Sequence, residues 1–127
     1  MMCVLFLVSC ERTDVSFESY DELVQENALQ SGWYPLWLPE SSTDIREAHD
    51  IDTNDSMLSV RVRDPAWRMP TSCREVDAVP PAPFTRRWWP TDVRRESGWA
   101  LFSCEPGEYA AMHDVEKILL RWRPDGS

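Results

Sequence analysis

Leu58, Val60 and Val62 alternate with Ser59, Arg61 and Arg63. A two-residue period puts the two sets on opposite sides of an extended chain, so residues 58–63 predict a strand with one face on a core. The period returns near the C-terminus, where Ile118, Leu120 and Trp122 take one side and Lys117, Leu119, Arg121 and Arg123 the other. With Tyr109 to His113 before it, this segment predicts a hairpin. Gly98 to Cys104, followed by Glu105-Pro106-Gly107, predicts one more strand. Near the N-terminus the spacing is helical: Leu23, Val24, Ala28 and Leu29 form a stripe. Ser19 and Glu22 supply a capping box at its start and Gly32 a left-handed stop. The prolines of Trp33-Tyr34-Pro35-Leu36-Trp37-Leu38-Pro39 force extended neighbours, so this segment cannot continue the helix and is expected to plug the core. A second, shorter helix is expected from Thr43 to His49, capped by Ser41 or Ser42, with Ile45 and His49 on one face. Asp50 to Ser56 reads as a polar loop. Residues 64–97 hold Pro65, Pro70, Pro80, Pro81, Pro83 and Pro90 and read as a long irregular excursion. The sum is an α+β fold: a small antiparallel sheet of about four strands with two short N-terminal helices on one face.

The first ten residues have another character. Met1 to Val8 is apolar, Ser9-Cys10 follows, and Glu11-Arg12-Thr13-Asp14 turns abruptly polar. The run is too short to span a bilayer, which takes about 20 residues, and has the length of a signal-peptide core. Leu7-Val8-Ser9-Cys10 resembles the lipobox of bacterial lipoproteins, which implies cleavage before Cys10 and lipidation (palmitate-type acylation) of its thiol. The positive segment that usually precedes such a run is absent, which points to a start upstream of Met1. The other reading is an apolar N-terminal strand of a soluble protein. Glu11, where an Asp would resemble an inner-membrane retention signal, favours the outer membrane, facing the periplasm. The organisation expected is signal peptide 1–10, tether 11–18 and a single domain 19–127.

At 127 residues the chain has room for one modest core. Its net charge is −9, which argues against nucleic-acid binding. The charge is uneven: residues 11–60 carry twelve acids and two Arg, whereas residues 61–127 are nearly balanced. Of the four Cys, Cys3 would leave with the signal and Cys10 would be acylated. Cys73 and Cys104 remain as an even pair, expected to form a disulfide outside the cytoplasm. Zinc held by both Cys with His49 and His113 is the alternative, without a Cys-x-x-Cys or close His pair to support it.

The stretch Gly32-Trp33-Tyr34-Pro35-Leu36-Trp37-Leu38-Pro39-Glu40-Ser41, continuing to Ile45 and then His49-Asp50-Ile51-Asp52-Thr53-Asn54, resembles the core motif of a family of uncharacterised bacterial proteins. These are often small secreted or lipid-anchored proteins. The likeness covers about a fifth of the chain and departs at Ser42, where Ala is expected. It implies no activity, so no residue inherits a role from it.

Two constellations are candidate sites. The first is His49, Asp50 and Asp52, with Asn54 and Asp55. The alternating carboxylates resemble the opening of a calcium loop, but Asp55 stands in the Gly position and Arg61 in place of the final Glu, so no metal is expected. His49 could serve as a general base oriented by an Asp; the plainer reading is a packed structural His. The second is Arg86-Arg87-Trp88-Trp89, continuing to Arg94 and Arg95. Arg beside Trp suits an interaction surface or anionic lipid head groups; otherwise one Trp packs inside and the Arg residues balance the acidic half. No cofactor motif occurs. The function expected is a lipid-anchored interaction module of the cell envelope, binding a protein, glycan or anionic lipid. The alternative is a small hydrolase-like envelope enzyme using His49 and the nearby Asp residues.

Overall fold

A computed structural model of the chain describes residues 12–104 and 107–124. Its main feature is one seven-stranded sheet. The strands are β1 (Arg12–Ser19), β2 (Ser42–Asp50), β3 (Ser56–Val62), β4 (Cys73–Val76), β5 (Trp99–Cys104), β6 (Glu108–His113) and β7 (Ile118–Arg123). Their order is β1-β2-β3-β7-β6-β5-β4, and every neighbouring pair is antiparallel. The chain lays down β1 to β3, crosses the sheet to start β4 at the far edge, and returns through β5, β6 and β7 to close on β3. Among the described residues, one short helix, α1 (Tyr20–Gln25), and two 3-10 turns complete the regular structure.

The fold is therefore mainly β, with seven strands and one helix instead of the expected α+β arrangement of four strands and two helices. The segment from Thr43 to His49 is the clearest correction: it lies in β2, paired with β1 on one side and β3 on the other. Ile45 and His49 are four apart, which places them on one face of a strand as well as of a helix, so their spacing does not separate the two. Arg46, Glu47 and Ala48 favour a helix locally, but two flanking strands override that preference. Ser42 does not cap a helix; its hydroxyl donates to the Pro39 carbonyl in the turn that enters β2. Residues 12–18, expected as a tether, are β1. Thr13, Val15 and Phe17 turn half-buried side chains to one face while the residues between them stay exposed. The excursion is irregular as expected apart from β4 and a 3-10 turn at Arg95–Ser97.

The helix that begins after Ser19 does form. Ser19 Oγ accepts from the Glu22 N–H, and Glu22 Oε1 accepts from the Glu18 N–H. This is the capping box with its return bond shifted by one residue. The helix is shorter than the apolar stripe suggests, because Asn27 takes a left-handed conformation and the chain continues as a 3-10 turn over Ala28–Ser31.

Both faces of the sheet are covered. On the first, which we call the helix face, Ile45, Leu58, Val60, Val62 and Leu119 pack beneath Leu23 of α1 and Tyr34 and Leu38 of the following plug. On the second, the loop face, Ala48, Met57, Leu101, Ala111, Leu120 and Trp122 pack beneath Phe84 and partly buried Val79, Trp88, Trp89 and Val93 of the excursion. Each fully buried aliphatic side chain stabilises the fold by about 1.5–3 kcal/mol relative to exposure. Cys73 and Cys104 face each other across the β4–β5 pair and form a disulfide.

Candidate functional site

The structure does not assemble His49, Asp50 and Asp52 into one site. Consecutive residues of a strand point to opposite faces, so His49 lies on the helix face and Asp50 on the loop face. Asp50 Oδ1 accepts from the backbone N–H groups of Asp52 and Thr53, and its other oxygen meets Arg12 Nε at 3.4 Å. Burial opposes ionisation of Asp50, but these donors outweigh it and hold its carboxyl below the usual range. It is a turn-forming Asp at the β2–β3 connection. Asp52 is exposed in that turn. Among the described residues, no three His, Cys, Asp or Glu side chains converge to hold a metal.

The partner of His49 is Glu47, two residues back on the same face. Glu47 Oε2 lies 2.8 Å from His49 Nδ1, and the Trp33 ring stacks on the imidazole with centroids 3.9 Å apart and planes 6° from parallel. Glu47 is 1% exposed. Burial pushes its carboxyl up to about 8, against the attraction of Arg121, with Asp14 adding to the rise. Burial likewise pushes His49 down. Both shifts favour the neutral forms of the two groups, which is how an enclosed carboxyl and imidazole avoid the cost of desolvated ions.

Beyond Leu58 on the same face, Arg121 binds both oxygens of Glu108, through Nη2 at 2.9 Å and Nε at 3.2 Å. Arg123 Nη2 reaches Glu108 at 2.6 Å. Arg121 Nη1 donates to the Trp33 carbonyl and more weakly to Ser56. The carbonyl and the ring of Trp33 thus touch both buried pairs. Burial alone would raise Glu108, but the two guanidiniums hold it below its ordinary value. The sequence reading missed Glu47 and Glu108. Glu47 could have been found from the two-residue step to His49, once β2 is known to be a strand.

The Arg and Trp residues of the excursion divide differently. Trp88 and Trp89 pack edge to face, and Trp89 meets Trp122 edge-on, so both belong in part to the loop-face core. Arg86 is bound by Asp14 at 2.8 Å and lies over the Phe84 ring, 5.5 Å from its centroid. Arg94 is bound by Asp92, and Arg95 by Asp77. The hydrogen bond from Arg94 and a second from Ser97 lower Asp92. Arg87 is exposed with no such partner among the described residues. Between these side chains a cleft of about 530 Å³ opens, walled by Pro80, Phe84, Arg86, Trp89 and Val93. Its floor is Trp122, whose Nε1 donates to the Pro80 carbonyl at 3.0 Å. The Val79–Phe84 wall was not among the expected site residues, because its prolines read only as irregular chain.

Cys10, the expected lipidation site, lies outside the described residues. Cys73 and Cys104 are bonded to each other, so neither thiol is free for zinc. No described helix is long and apolar enough to cross a membrane. Residues 11–60 match the family model of the YbbD head domain. That span takes in β1, β2, most of β3 and the plug, including Glu47 and His49 but not the excursion cleft. It marks an uncharacterised family and brings no activity with it. No curated protein and no solved structure matches the chain.

Proposed function

We propose that the chain is a binding module of the bacterial cell envelope, held to the outer membrane by lipid on Cys10 and working through the excursion cleft. The cleft carries this reading: its volume lies within the range of small-ligand sites, and its Trp, Phe and Pro walls hold a few fixed polar groups. The Leu7-Val8-Ser9-Cys10 pattern supports the address, and a disulfide suits an oxidising compartment. Of Arg86, Arg87, Arg94 and Arg95, three already answer a carboxylate of the chain itself. That weakens a flat head-group surface and favours a ring-bearing envelope molecule, such as a glycan fragment, seated against Trp89. The hydrolase reading loses support, because Asp50 and Asp52 do not reach His49 and Glu47 occupies its Nδ1.

The test follows the indole N–H resonances while soluble peptidoglycan fragments are added. A saturable shift of the Trp89 signal, lost in Val93→Arg, is the result expected. An unmoved Trp89 signal at millimolar fragment would overturn the cleft reading. The address is tested separately by palmitate labelling in a bacterial host, where Cys10→Ser should abolish incorporation.

A further inference from the structure

We infer that a groove beside the cleft binds a phosphate group, with Arg46 and Arg87 as its principal ligands. The groove, of about 540 Å³, runs between β1–β2 and the turn at residues 85–88, and it shares Thr85 and Arg86 with the cleft. In this acidic chain most guanidiniums are already engaged by carboxylates, hydroxyls or carbonyls. Arg46, Arg74 and Arg87 have no such partner among the described residues, and two of these three line this one groove. Both are exposed, so neither is committed to the core.

The strand register supplies the rest. Arg46 sits opposite Ser16 of β1 and opposite Ser59 of β3. Directly opposed residues share a face, so a hydroxyl flanks the guanidinium on each side. This row is polar until it reaches Leu120, which faces Ser59, and the row beside it on the loop face holds Ala48, Met57 and Trp122. Trp88 lies against it, lining both this groove and its extension past Ser59 and Arg61. Arg86 holds Asp14, the carboxylate that lines this groove, through Nε and the Thr85 carbonyl through Nη1, and Asp44 in the extension is met by Arg61 at 3.6 Å. Two uncompensated planar forks with hydroxyl donors match the geometry and the nearly double charge of a phosphate ester better than a single carboxylate. An indole beside them can cover the body that carries it.

This inference rests on the cleft reading for its account of the ligand body, yet it can fail alone. The experiment titrates the lipid-free protein with N-acetylglucosamine 1-phosphate, with unphosphorylated N-acetylglucosamine, and with vesicles of phosphatidylglycerol or phosphatidylcholine. Saturable binding of a phosphate-bearing probe is expected, weakened roughly tenfold or more in Arg46→Gln/Arg87→Gln and unchanged in Arg74→Gln. Binding of the sugar phosphate identifies a soluble ester as the source; binding of phosphatidylglycerol vesicles alone, with the same loss in the double variant, identifies a lipid head group. All these side chains are exposed, and matching melting temperatures exclude misfolding. The inference is overturned if no phosphate probe binds, if the double variant binds like the parent, or if Arg74→Gln weakens binding equally. A Trp89 response to glycan fragments that persists in such a case leaves the cleft reading standing.

Discussion

Arg121 and Trp122 are neighbours in β7, each 2% exposed, and they are buried by opposite means. Trp122 enters the loop face among aliphatic and aromatic side chains, with one hydrogen bond to the Pro80 carbonyl. Arg121 enters the helix face, where Glu108, the Trp33 carbonyl and Ser56 receive its donors. Apolar burial is non-directional and scales with area. The ionic side depends on every partner being in place, because a charge left alone in the interior is costly. That side is also incompletely satisfied: Arg123 Nε is buried without a hydrogen-bond partner among the described residues. One sheet thus has a tolerant face and an exacting one.

The largest effects should come from breaking β7 on each side. Arg121→Met leaves Glu108 with Arg123 alone and removes the cation that attracts Glu47, so a loss of about 3–5 kcal/mol is expected. Trp122→Ala should cost a similar 3–5 kcal/mol or so through lost contacts and a cavity. The faces should then part company. Adding Glu108→Leu and Arg123→Met to Arg121→Met should restore most of the stability, since an apolar set can replace a buried ionic one once no charge is left alone. Urea unfolding midpoints measure both, and a triple variant no more stable than Arg121→Met would show that the faces are equally exacting. Next comes the disulfide at the far edge. In the chain-entropy model, Cys73→Ala/Cys104→Ala should cost about 3–4 kcal/mol, given a sequence separation of 31. Amide exchange should quicken first in β4 and β5 and leave β3 and β7 protected; uniform loss of protection would mean that the sheet opens as one unit.

Much of the sheet was legible where apolar and polar residues alternate cleanly, as in β3 and β7, and the cap at Ser19 was legible because its chemistry is local. The misreadings have a common cause. In β2, Glu47, Ala48, His49 and Asp50 are all buried, because both faces of the sheet are covered; alternation therefore gives no outline, and helix-favouring residues fill the gap. In β7 the alternation was read correctly, but it does not say that the side carrying Arg121 is as buried as the side carrying Trp122. β1 exposes every second residue at the edge of the sheet, which in sequence resembles a polar leader. Of the candidate site residues, the Arg–Trp stretch does border a cleft, while His49, Asp50 and Asp52 separate because neighbours in a strand part to opposite faces. Arg46, Glu47 and Glu108 acquire their meaning only from register, which couples residues distant in the chain.

The finest probe of the difference between the faces is pH, since the helix face buries a carboxyl that is raised, whereas the buried Asp50 of the loop face is lowered. Glu47 is raised from its ordinary 4.5 to about 8, so its contribution is complete below about pH 4.5 and is lost as pH rises through about 8. His49 is lowered from 6.5, so its contribution is complete above pH 6.5 and is lost as pH falls below it. Between these limits the two slopes oppose; above pH 6.5 only that of Glu47 remains. Stability should therefore fall by about 1–2 kcal/mol between roughly pH 6.5 and 8.5, at most 1.36 kcal/mol per unit. Glu47→Gln carries no titrating proton and should flatten this slope, whereas Trp122→Phe, on the other face, should leave it unchanged. Equal slopes in the parent and Glu47→Gln would mean that the carboxyl is ionised beneath Trp33, and that Arg121 outweighs the burial that separates the two faces.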